Sequence, residues 1–283
     1  MLLYLRISDA YAFCHSWFQF DILHRYLAVQ FARNLKKPRN SPFTWYLNET
    51  IFKRHNLSLE AAAVEMSELS PGQHVLEIGF GPGHGILFAA ERVAPLTVKY
   101  LREQNHLQRL LFQLQSPTVC FPSDGHVQGV DISEYMVKHA KRLNKPLIRA
   151  GAVSLKLASV DHLPMLSSTI DACFHVNCFY FWHNLPYSLR QIWRVLRPNG
   201  RLVTTFRPQR LKRHVERGWL RYGRVDPVAY ALALEACGFS QVEWFKDQVW
   251  TKSTDPYECI VARKPPIHSL AQSSDVENNI SLG

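Results

Sequence analysis

The sequence predicts an α/β fold in which helices cover both faces of a parallel sheet. One observation is local: the apolar residues Val75, Leu76 and Ile78 precede a glycine-rich turn and a mostly apolar helical stretch at residues 86–93. That is the order of a buried strand, a tight turn and a helix. The other observation is global, because strand and helix patterns alternate along most of the 283 residues, as they do in doubly wound parallel sheets.

The remaining elements are predicted from apolar spacing, caps and turns. An apolar helix spans residues 18–35, a second helix begins at Ser58, and Pro71-Gly72 leads into the first strand. Further strands are predicted at residues 127–130, 152–157, 170–176, after the Pro-Asn-Gly turn at 198–200, at 241–245 and at 257–262. Further helices are predicted from Ser133, at residues 188–196 and at residues 227–236.

The glycine turn after the first strand predicts a ligand site. Gly79, Gly81 and Gly83 recur at every second position, and Glu77 precedes them at the end of the strand. Glycine lets a ligand approach the backbone closely, and open α/β sheets bind ligands at the carboxyl ends of their strands. A dinucleotide loop is disfavoured because His84 stands where its third glycine belongs. A carboxylate before the glycines suits a ligand that carries a positively charged amino group.

A second acidic residue, Asp131, follows the second strand, where an acid binds ribose hydroxyls in doubly wound folds. Asp131 lies too far from the glycines by direct count. Removing residues 96–124 restores the usual separation of about 20 residues. We therefore interpret residues 96–124 as an insertion. This segment is a helical excursion, a loop, or sequence that was never selected to fold, and its pattern does not separate the three.

Four motifs together resemble the class I S-adenosylmethionine-dependent methyltransferases, and among them the small-molecule enzymes of the ubiquinone and menaquinone kind. They are V-L-E-I-G-F-G-P-G at residues 75–83, G-V-D-I-S-E-Y-M-V at 129–137, V-N-C-F-Y-F-W at 176–182 and R-V-L-R-P-N-G-R-L at 194–202. The resemblance covers residues 35–263 except the insertion. It implies a Rossmann-like, seven-stranded, doubly wound sheet with an antiparallel C-terminal hairpin and an N-terminal helical extension.

The expected domain organisation follows from this resemblance. Residues 1–70 are expected to form a helical extension or lid. Residues 71–263 are expected to form the methyltransferase domain with its insertion, and residues 264–283 a polar, disordered tail.

The resemblance also implies S-adenosylmethionine as the cofactor, and it assigns residues to its methionine and ribose parts. Gly79, Gly81 and Gly83 would let the backbone meet the methionine part. Glu77 would assist at the ammonium group, directly or through water. Asp131 would accept hydrogen bonds from the ribose hydroxyls.

The adenine contacts implied by the resemblance lie after the second and third strands. Ile132 and Met136 would flank the adenine ring. The family often has an aspartate after the third strand that contacts the adenine amino group, but this chain has Ser159 there. That contact is therefore expected to weaken or to pass to the Val160 backbone and Asp161.

The reaction itself needs little dedicated chemistry. Asn177 lies where the fourth strand ends, beneath the expected reactive methyl group. Displacement at a sulfonium requires alignment of the nucleophile and exclusion of water, and no particular side chain is compulsory. If the acceptor must lose a proton, His183 and Tyr180 are the nearest bases after the fourth strand. No metal site is predicted, because the chain contains no C-x-x-C pair.

We expect an S-adenosylmethionine-dependent methyltransferase that acts on a small, apolar or amphipathic molecule, with residues 179–182 and the aromatic N-terminal helix around it. The net charge of +10 leaves an RNA or protein methyltransferase as an alternative. A third alternative is a cofactor-binding protein that has lost catalysis. Six scattered cysteines and the absence of an apolar run of membrane-spanning length favour a cytoplasmic location.

Overall fold

The structure is a computed structural model that describes residues 25–26, 28–41, 53–104, 121, 124–250 and 256–266. Its strands are β1 (His74–Ile78), β2 (His126–Asp131), β3 (Val153–Leu157), β4 (Ile170–Val176), β5 (Leu196–Phe206), β6 (Ser240–Gln248) and β7 (Tyr257–Arg263). Its helices are α1 (28–36), α2 (Lys53–Met66), α3 (His84–Val93), α4 (Pro95–Glu103), α5 (Glu134–Leu143), α6 (Lys145–Arg149), α7 (Leu185–Val195), α8 (Pro208–Glu216) and α9 (Pro227–Ala236). Within the described part of the chain, no helix has the length and apolar character needed to cross a bilayer.

The seven strands form one sheet in the order β3-β2-β1-β4-β5-β7-β6. Strands β1 to β5 run parallel, and β7 lies antiparallel between β5 and β6. The predicted seven-stranded, Rossmann-like sheet with an antiparallel C-terminal hairpin is confirmed. The direction of winding reverses between β1 and β4, and such a switch point opens a crevice at the carboxyl ends of the strands.

Alternation along β1 sends its side chains into two different layers. Val75 belongs to the apolar cluster that includes α2 and α3, on one face of the sheet. Leu76 and Ile78 belong to the cluster that includes α7 and α9, on the other face. Glu77 shares the phase of Val75, so its carboxyl group is directed toward α2 and α3.

Two helix starts differ from the prediction. Ser58 does not begin α2 but lies inside it, where its Oγ accepts a hydrogen bond from Arg207 at 2.8 Å. The start of α7 at residue 188 was predicted too late, because Asn184 caps this helix by accepting from the N–H of Tyr187. In both places the side chain of a polar residue outside the apolar pattern is fixed by a local or tertiary hydrogen bond.

The segment interpreted as an insertion, residues 96–124, leaves and rejoins the domain at one place. Its first part is helix α4, and residues 105–120, 122 and 123 lie outside the described residues. The N–H of Gly125 donates to the carbonyl of Val93 at 2.7 Å, and the Asp124 carboxylate accepts from two N–H groups in the first turn of α4. Because the two ends of this segment meet at Val93, β2 continues the fold from the end of α3 and pairs with β1.

Parts of two other predicted segments also lie outside the described residues. The predicted helix at residues 18–35 is helical where it is described, at residues 25–26 and from residue 28 onward. Residues 18–24 and the predicted tail from residue 267 are not described.

Helix α1 and the segment after it are attached to the domain at two points. Phe31 packs on Trp219 with ring centroids 4.1 Å apart. The Oγ of Ser133 donates to the carbonyl of Pro38 at 2.6 Å and accepts from the N–H of Met136 at 3.2 Å, as the N-cap of α5. One hydroxyl therefore caps a helix and anchors the N-terminal segment at the same time.

We expect Ser133→Ala to lower the free energy of unfolding by about 1–2 kcal/mol, because it removes a helix cap and a buried tertiary hydrogen bond together. Denaturant unfolding measures this difference. Ser133→Thr, which keeps the hydroxyl, is the matched control and is expected to unfold near the wild-type midpoint. Equal midpoints for the alanine variant and wild type would show that the hydroxyl makes neither contact in solution.

Candidate functional site

A cavity of about 300 Å³ opens at the carboxyl ends of β1, β2, β3 and β4. Of the residues predicted to bind the cofactor, those on its wall are Gly79, Gly81, Asp131, Ile132, Met136, Ser159, Val160, Asp161 and Asn177. The two predicted candidate bases, Tyr180 and His183, also line it. Glu77 and Gly83, which were also predicted to bind the cofactor, do not line the cavity. The switch point of the sheet therefore brings together residues that are up to about a hundred positions apart in sequence.

The glycine turn depends on backbone conformations and spaces that other residues do not tolerate. Gly79 has φ +69°, and a Cβ atom there would lie 2.9 Å from the Sγ of Cys178. Gly83 has φ +91°, and a Cβ atom there would lie 2.7 Å from the Cβ of Ala140. Both values of φ favour glycine, and both close approaches pack the turn against its neighbours. At Gly81 the space around a Cβ atom is open within 4 Å, which leaves room for a ligand.

Asp131 holds the turn from the neighbouring strand. Its Oδ2 accepts from the N–H of Gly81 at 3.0 Å, and its Oδ1 accepts from the N–H of Ser133 at 2.8 Å. Burial raises the pKa of this carboxyl to about 6, against the opposing effect of its backbone hydrogen bonds. A carboxylate has about four acceptor sites, so lone pairs remain for the hydroxyls of a ligand in the cavity.

Glu77 meets a second buried carboxyl group, that of Glu60 on α2. Glu77 is 1% exposed and Glu60 is 4% exposed. The Oε1 of Glu77 lies 2.4 Å from where a Cβ atom of Gly85 would be, and the backbone N–H of Gly85 interacts with the carboxyl of Glu60. The Oε2 atom of each glutamate makes no hydrogen bond within the described structure.

The two carboxyl groups resist ionisation together. Burial raises the pKa of Glu60 to about 8. Burial, the charge of Glu60 and the charge of Asp131 raise the pKa of Glu77 well above its ordinary value. Two unpaired carboxylates in one buried space are costly, so this place in the fold favours either a proton or a positively charged group.

The residues after β3 form a hydrogen-bonded turn at the edge of the cavity. Ser159 caps the 3₁₀ turn Val160–His162 by accepting from the N–H of Asp161 at 3.2 Å. The Oδ1 of Asp161 accepts from Ser188 Oγ at 2.5 Å. The adenine contact predicted for this turn thus has a fixed backbone on the wall, and one of the two Asp161 oxygens is engaged with α7.

Asn177 ends β4 in a left-handed conformation, with φ +50°. Such a conformation is uncommon outside glycine and is tolerated best by asparagine and aspartate. Its Nδ2 donates to the Oδ1 of Asn56 on α2 at 3.2 Å, and both side chains line the cavity. The sequence patterns did not point to Asn56, because the face of α2 that meets the sheet is decided by tertiary packing.

An aromatic loop, residues 179–182, follows Asn177. Tyr180, Phe181 and Trp182 line the cavity, and the indole Nε1 of Trp182 donates to the Sγ of Cys178 at 3.2 Å. Burial raises the pKa of the Tyr180 phenol, so this group keeps its proton at neutral pH. It suits a hydrogen-bond donor better than the base that was predicted, and His183 at the exposed rim is the remaining candidate base.

Behind the aromatic loop lies a buried polar triad. The Nε2 of His175 lies 2.9 Å from the hydroxyl of Tyr230 and 2.9 Å from the Oγ1 of Thr204. The His175 ring also packs 4.7 Å from the Trp182 ring. Burial lowers the pKa of His175 to about 3, so the imidazole is neutral. The triad supports the loop from the side opposite the cavity.

Helix α8 supplies wall residues that the sequence analysis did not identify. Arg210, Leu211 and His214 lie on the cavity, and Lys36 contributes from α1. The available signal was the pair of basic residues four positions apart after Pro208, a residue type common in the first turn of a helix.

Comparison with known proteins gives matches in sequence and in structure. A family model described as a methyltransferase domain matches residues 114–204, which leaves out the glycine turn. The uncharacterized methyltransferase YdaC of Bacillus subtilis is 27% identical over 159 residues, 56% of this chain and 70% of YdaC. Demethylmenaquinone methyltransferase of Symbiobacterium thermophilum is 26% identical over 159 residues, 56% of this chain and 52% of the relative.

Two solved structures share the fold. An S-adenosylmethionine-dependent methyltransferase from Aquifex aeolicus has a TM-score of 0.51 at 17% identity, over 74% of this chain and 92% of the other. Geranyl diphosphate C-methyltransferase of Streptomyces coelicolor has a TM-score of 0.54 at 12% identity, over 81% of this chain and 86% of the other. At these identities the likeness concerns the fold alone.

The site fits S-adenosylmethionine in two independent ways. The open space at Gly81 leaves room for the methionine part of the cofactor. The carboxyl oxygen of Glu77 that makes no hydrogen bond in the described structure suits an ammonium group. Fold, motifs and relatives agree with this fit. Together these findings support an S-adenosylmethionine-dependent methyltransferase, with S-adenosylmethionine as its cofactor.

Proposed function

We propose that the enzyme methylates a small, apolar or amphipathic molecule. The observation that carries the proposal is the aromatic loop at the end of β4: Tyr180, Phe181 and Trp182 line the cavity next to Asn177. Leu211 of α8 and Leu35 of α1 complete this wall. Pockets for small molecules are mainly apolar with a few fixed polar groups, and this half of the cavity has that character.

We assign the other half of the cavity to the cofactor. Asp131 binds the ribose hydroxyls, while Ile132 and Met136 flank the adenine. The turn at residues 159–161 faces the adenine amino group through Ser159, the Val160 backbone and Asp161. The glycine turn faces the methionine part, with Glu77 behind it near the ammonium group. Support comes from the hydrogen bond that already joins Asp131 to the N–H of Gly81 in the turn.

The residues of the chain align the acceptor and exclude water from it. When bound, the cofactor supplies an electrophilic methyl group on a sulfonium. Asn177, fixed by Asn56, lies next to the acceptor. Tyr180, which keeps its proton, donates a hydrogen bond to it, and His183 accepts a proton where the acceptor must lose one.

We further propose that residues 1–70 act as a lid over the acceptor half of the cavity. In the described part, Leu35, Lys36 and Pro38 already lie on the cavity wall. The hydrogen bond from Ser133 to Pro38 ties this segment to the cofactor side. Closing such a segment over the site would shield the reaction from water.

The acceptor class is tested by labelling. Purified protein and methyl-labelled S-adenosylmethionine are incubated together with a fraction of a cell extract. The organic-soluble, RNA and protein fractions are tested in separate incubations. We expect label in the organic-soluble fraction, and much less with the Trp182→Ala variant at an unchanged cofactor affinity. Label confined to RNA or protein would replace this proposal with one of the alternative acceptors. Cofactor binding without label in any fraction would indicate a binding protein that has lost catalysis.

A further inference from the structure

We propose that the methyl acceptor carries an anionic oxygen group, a phosphate or a carboxylate, which Arg210 and His214 of α8 bind. This inference rests on the proposed function, and it adds a charged head group to the apolar body of the substrate. It follows from the way α8 is turned, from its neighbours on the wall and from the distribution of charge around the cavity.

Helix α8 turns one face to the cavity and the other to solvent. Arg210, Leu211 and His214 line the cavity, whereas Lys212 and Arg213 are exposed. Residues four apart lie on the same face of a helix, so Arg210 and His214 stand side by side on the wall. The planar guanidinium of arginine suits phosphate and carboxylate groups because it can donate two parallel hydrogen bonds.

Both side chains lie beside aromatic residues. Burial raises the pKa of the Tyr180 phenol, and the positive charge of Arg210 opposes this rise. The guanidinium therefore lies near the aromatic loop. The ring of His214 packs 5.3 Å from that of Trp219, which in turn contacts Phe31 of α1. The basic groups are thus held next to the surface assigned to the acceptor.

Charge on the described wall is divided between two sides. The acidic residues, Asp131 and Asp161, follow β2 and β3 on the side assigned to the cofactor. The basic residues Lys36 and Arg210 come from α1 and α8. A sulfonium cofactor with an ammonium group suits the acidic side, and an anionic acceptor suits the basic side, because opposite potentials attract across an interface.

The cofactor also has a carboxylate, which is the competing partner for Arg210. The two possibilities differ in what a loss of the guanidinium changes. If Arg210 serves the acceptor, its removal lowers affinity for the anionic acceptor and leaves the affinity for the cofactor product unchanged. If it serves the cofactor, the affinity for S-adenosylhomocysteine falls.

The test uses three probes with the same alkyl chain: octyl phosphate, octanoate and octanol. Each is titrated by calorimetry into protein saturated with S-adenosylhomocysteine. We expect at least one anion to bind about tenfold or more tightly than octanol, and the two anions together show which head group is preferred. Arg210→Gln and His214→Gln are each expected to reduce this preference. Arg213→Gln, on the exposed face of the same helix, is the matched control and is expected to keep it.

Three results would overturn the inference: equal affinity of all probes for wild type, an anion preference that survives both wall substitutions, or weaker binding of S-adenosylhomocysteine to Arg210→Gln. Thermal unfolding checks that each variant is folded, and His214→Gln carries the test if Arg210→Gln is not. Failure of the proposed function can be distinguished from failure of this inference. Octanol that binds without an anion preference removes this inference alone, whereas acceptor labelling confined to RNA or protein removes the small-molecule acceptor.

Discussion

Asp131→Ala is expected to weaken the binding of S-adenosylmethionine by about 10- to 100-fold, since hydrogen bonds to a charged group contribute roughly 1.5–3 kcal/mol. The variant loses the proposed acceptor of the ribose hydroxyls. It also releases the N–H of Gly81, which Asp131 holds at 3.0 Å. Both effects act on the cofactor half of the cavity, so the loss should appear in the dissociation constant measured by calorimetry.

The matched control for this prediction is Asp124→Ala. Asp124 also accepts hydrogen bonds from backbone N–H groups, those of Leu96 and Thr97, but it does not line the cavity. Its loss should lower stability and leave cofactor affinity unchanged. If Asp131→Ala binds the cofactor as tightly as wild type, the assignment of Asp131 across the insertion is wrong.

The same carboxyl group gives cofactor binding a pH dependence. Burial raises the pKa of Asp131 to about 6, and only the ionised form accepts hydrogen bonds with both oxygens. Affinity should therefore rise between pH 5 and pH 7 in wild type. Asp131→Asn should show a flatter profile over this range.

Glu60→Gln is expected to stabilise the cofactor-free protein at neutral pH. The pKa of Glu60 is raised from 4.5 to about 8 by burial, so the folded state binds its proton more tightly than the unfolded state does. A raised carboxyl pKa gives stability that is fully present below the unfolded pKa and is lost as pH rises through the folded pKa. Between pH 4.5 and pH 8 the free energy of unfolding falls by at most about 1.4 kcal/mol for each pH unit.

The groups that face Glu60 and Glu77 determine whether these carboxyl groups keep their protons. Asp131 on β2 raises the pKa of Glu77 by its negative charge. The thiols of Cys173 and Cys178 lie near Glu77, and their own pKa values are raised by burial, so they stay neutral. The backbone N–H of Gly85 opposes the shift at Glu60. The balance favours the protonated state in the cofactor-free protein.

Thermal unfolding between pH 6 and pH 8.5 measures this effect. We expect the wild-type midpoint to fall by several degrees across this range, and the midpoint of Glu60→Gln to fall less, since about 1 kcal/mol corresponds to a few degrees in a domain of this size. Glu65→Gln is the control, because Glu65 lies on the same helix but pairs with Arg92 at the surface, with its side chain 55% exposed. Parallel pH profiles for wild type and Glu60→Gln would contradict the assigned burial of this carboxyl.

Much of the fold follows from local patterns. β4 at residues 170–176 and α9 at residues 227–236 were predicted at their observed bounds. Both have clear signals: a mostly apolar run in a strand buried on two faces, and a helix between Pro227 and Gly238. The glycine turn was likewise visible, because its backbone conformations depend on residue type.

The site was predicted less completely, because part of it depends on tertiary packing. Asp131 was found only after the insertion was removed from the count, and the joined ends at Val93 and Gly125 give the structural reason. Asn56 and Arg210 were missed. The spacing of Arg210 and His214 indicates a shared helix face, but spacing alone does not say which face of a helix meets a cavity. Glu60 was missed for the same reason: its role depends on α2 packing against the face of the sheet to which Glu77 points.

Titration of S-adenosylmethionine into the wild-type protein by calorimetry tests whether the cavity binds this cofactor. We expect one binding site per chain with a dissociation constant of about 1 µM to 1 mM, the range in which enzymes commonly hold their substrates. We also expect tighter binding at pH 7 than at pH 5. No detectable binding by protein that circular dichroism shows to be folded would contradict the assignment of the cavity to this cofactor.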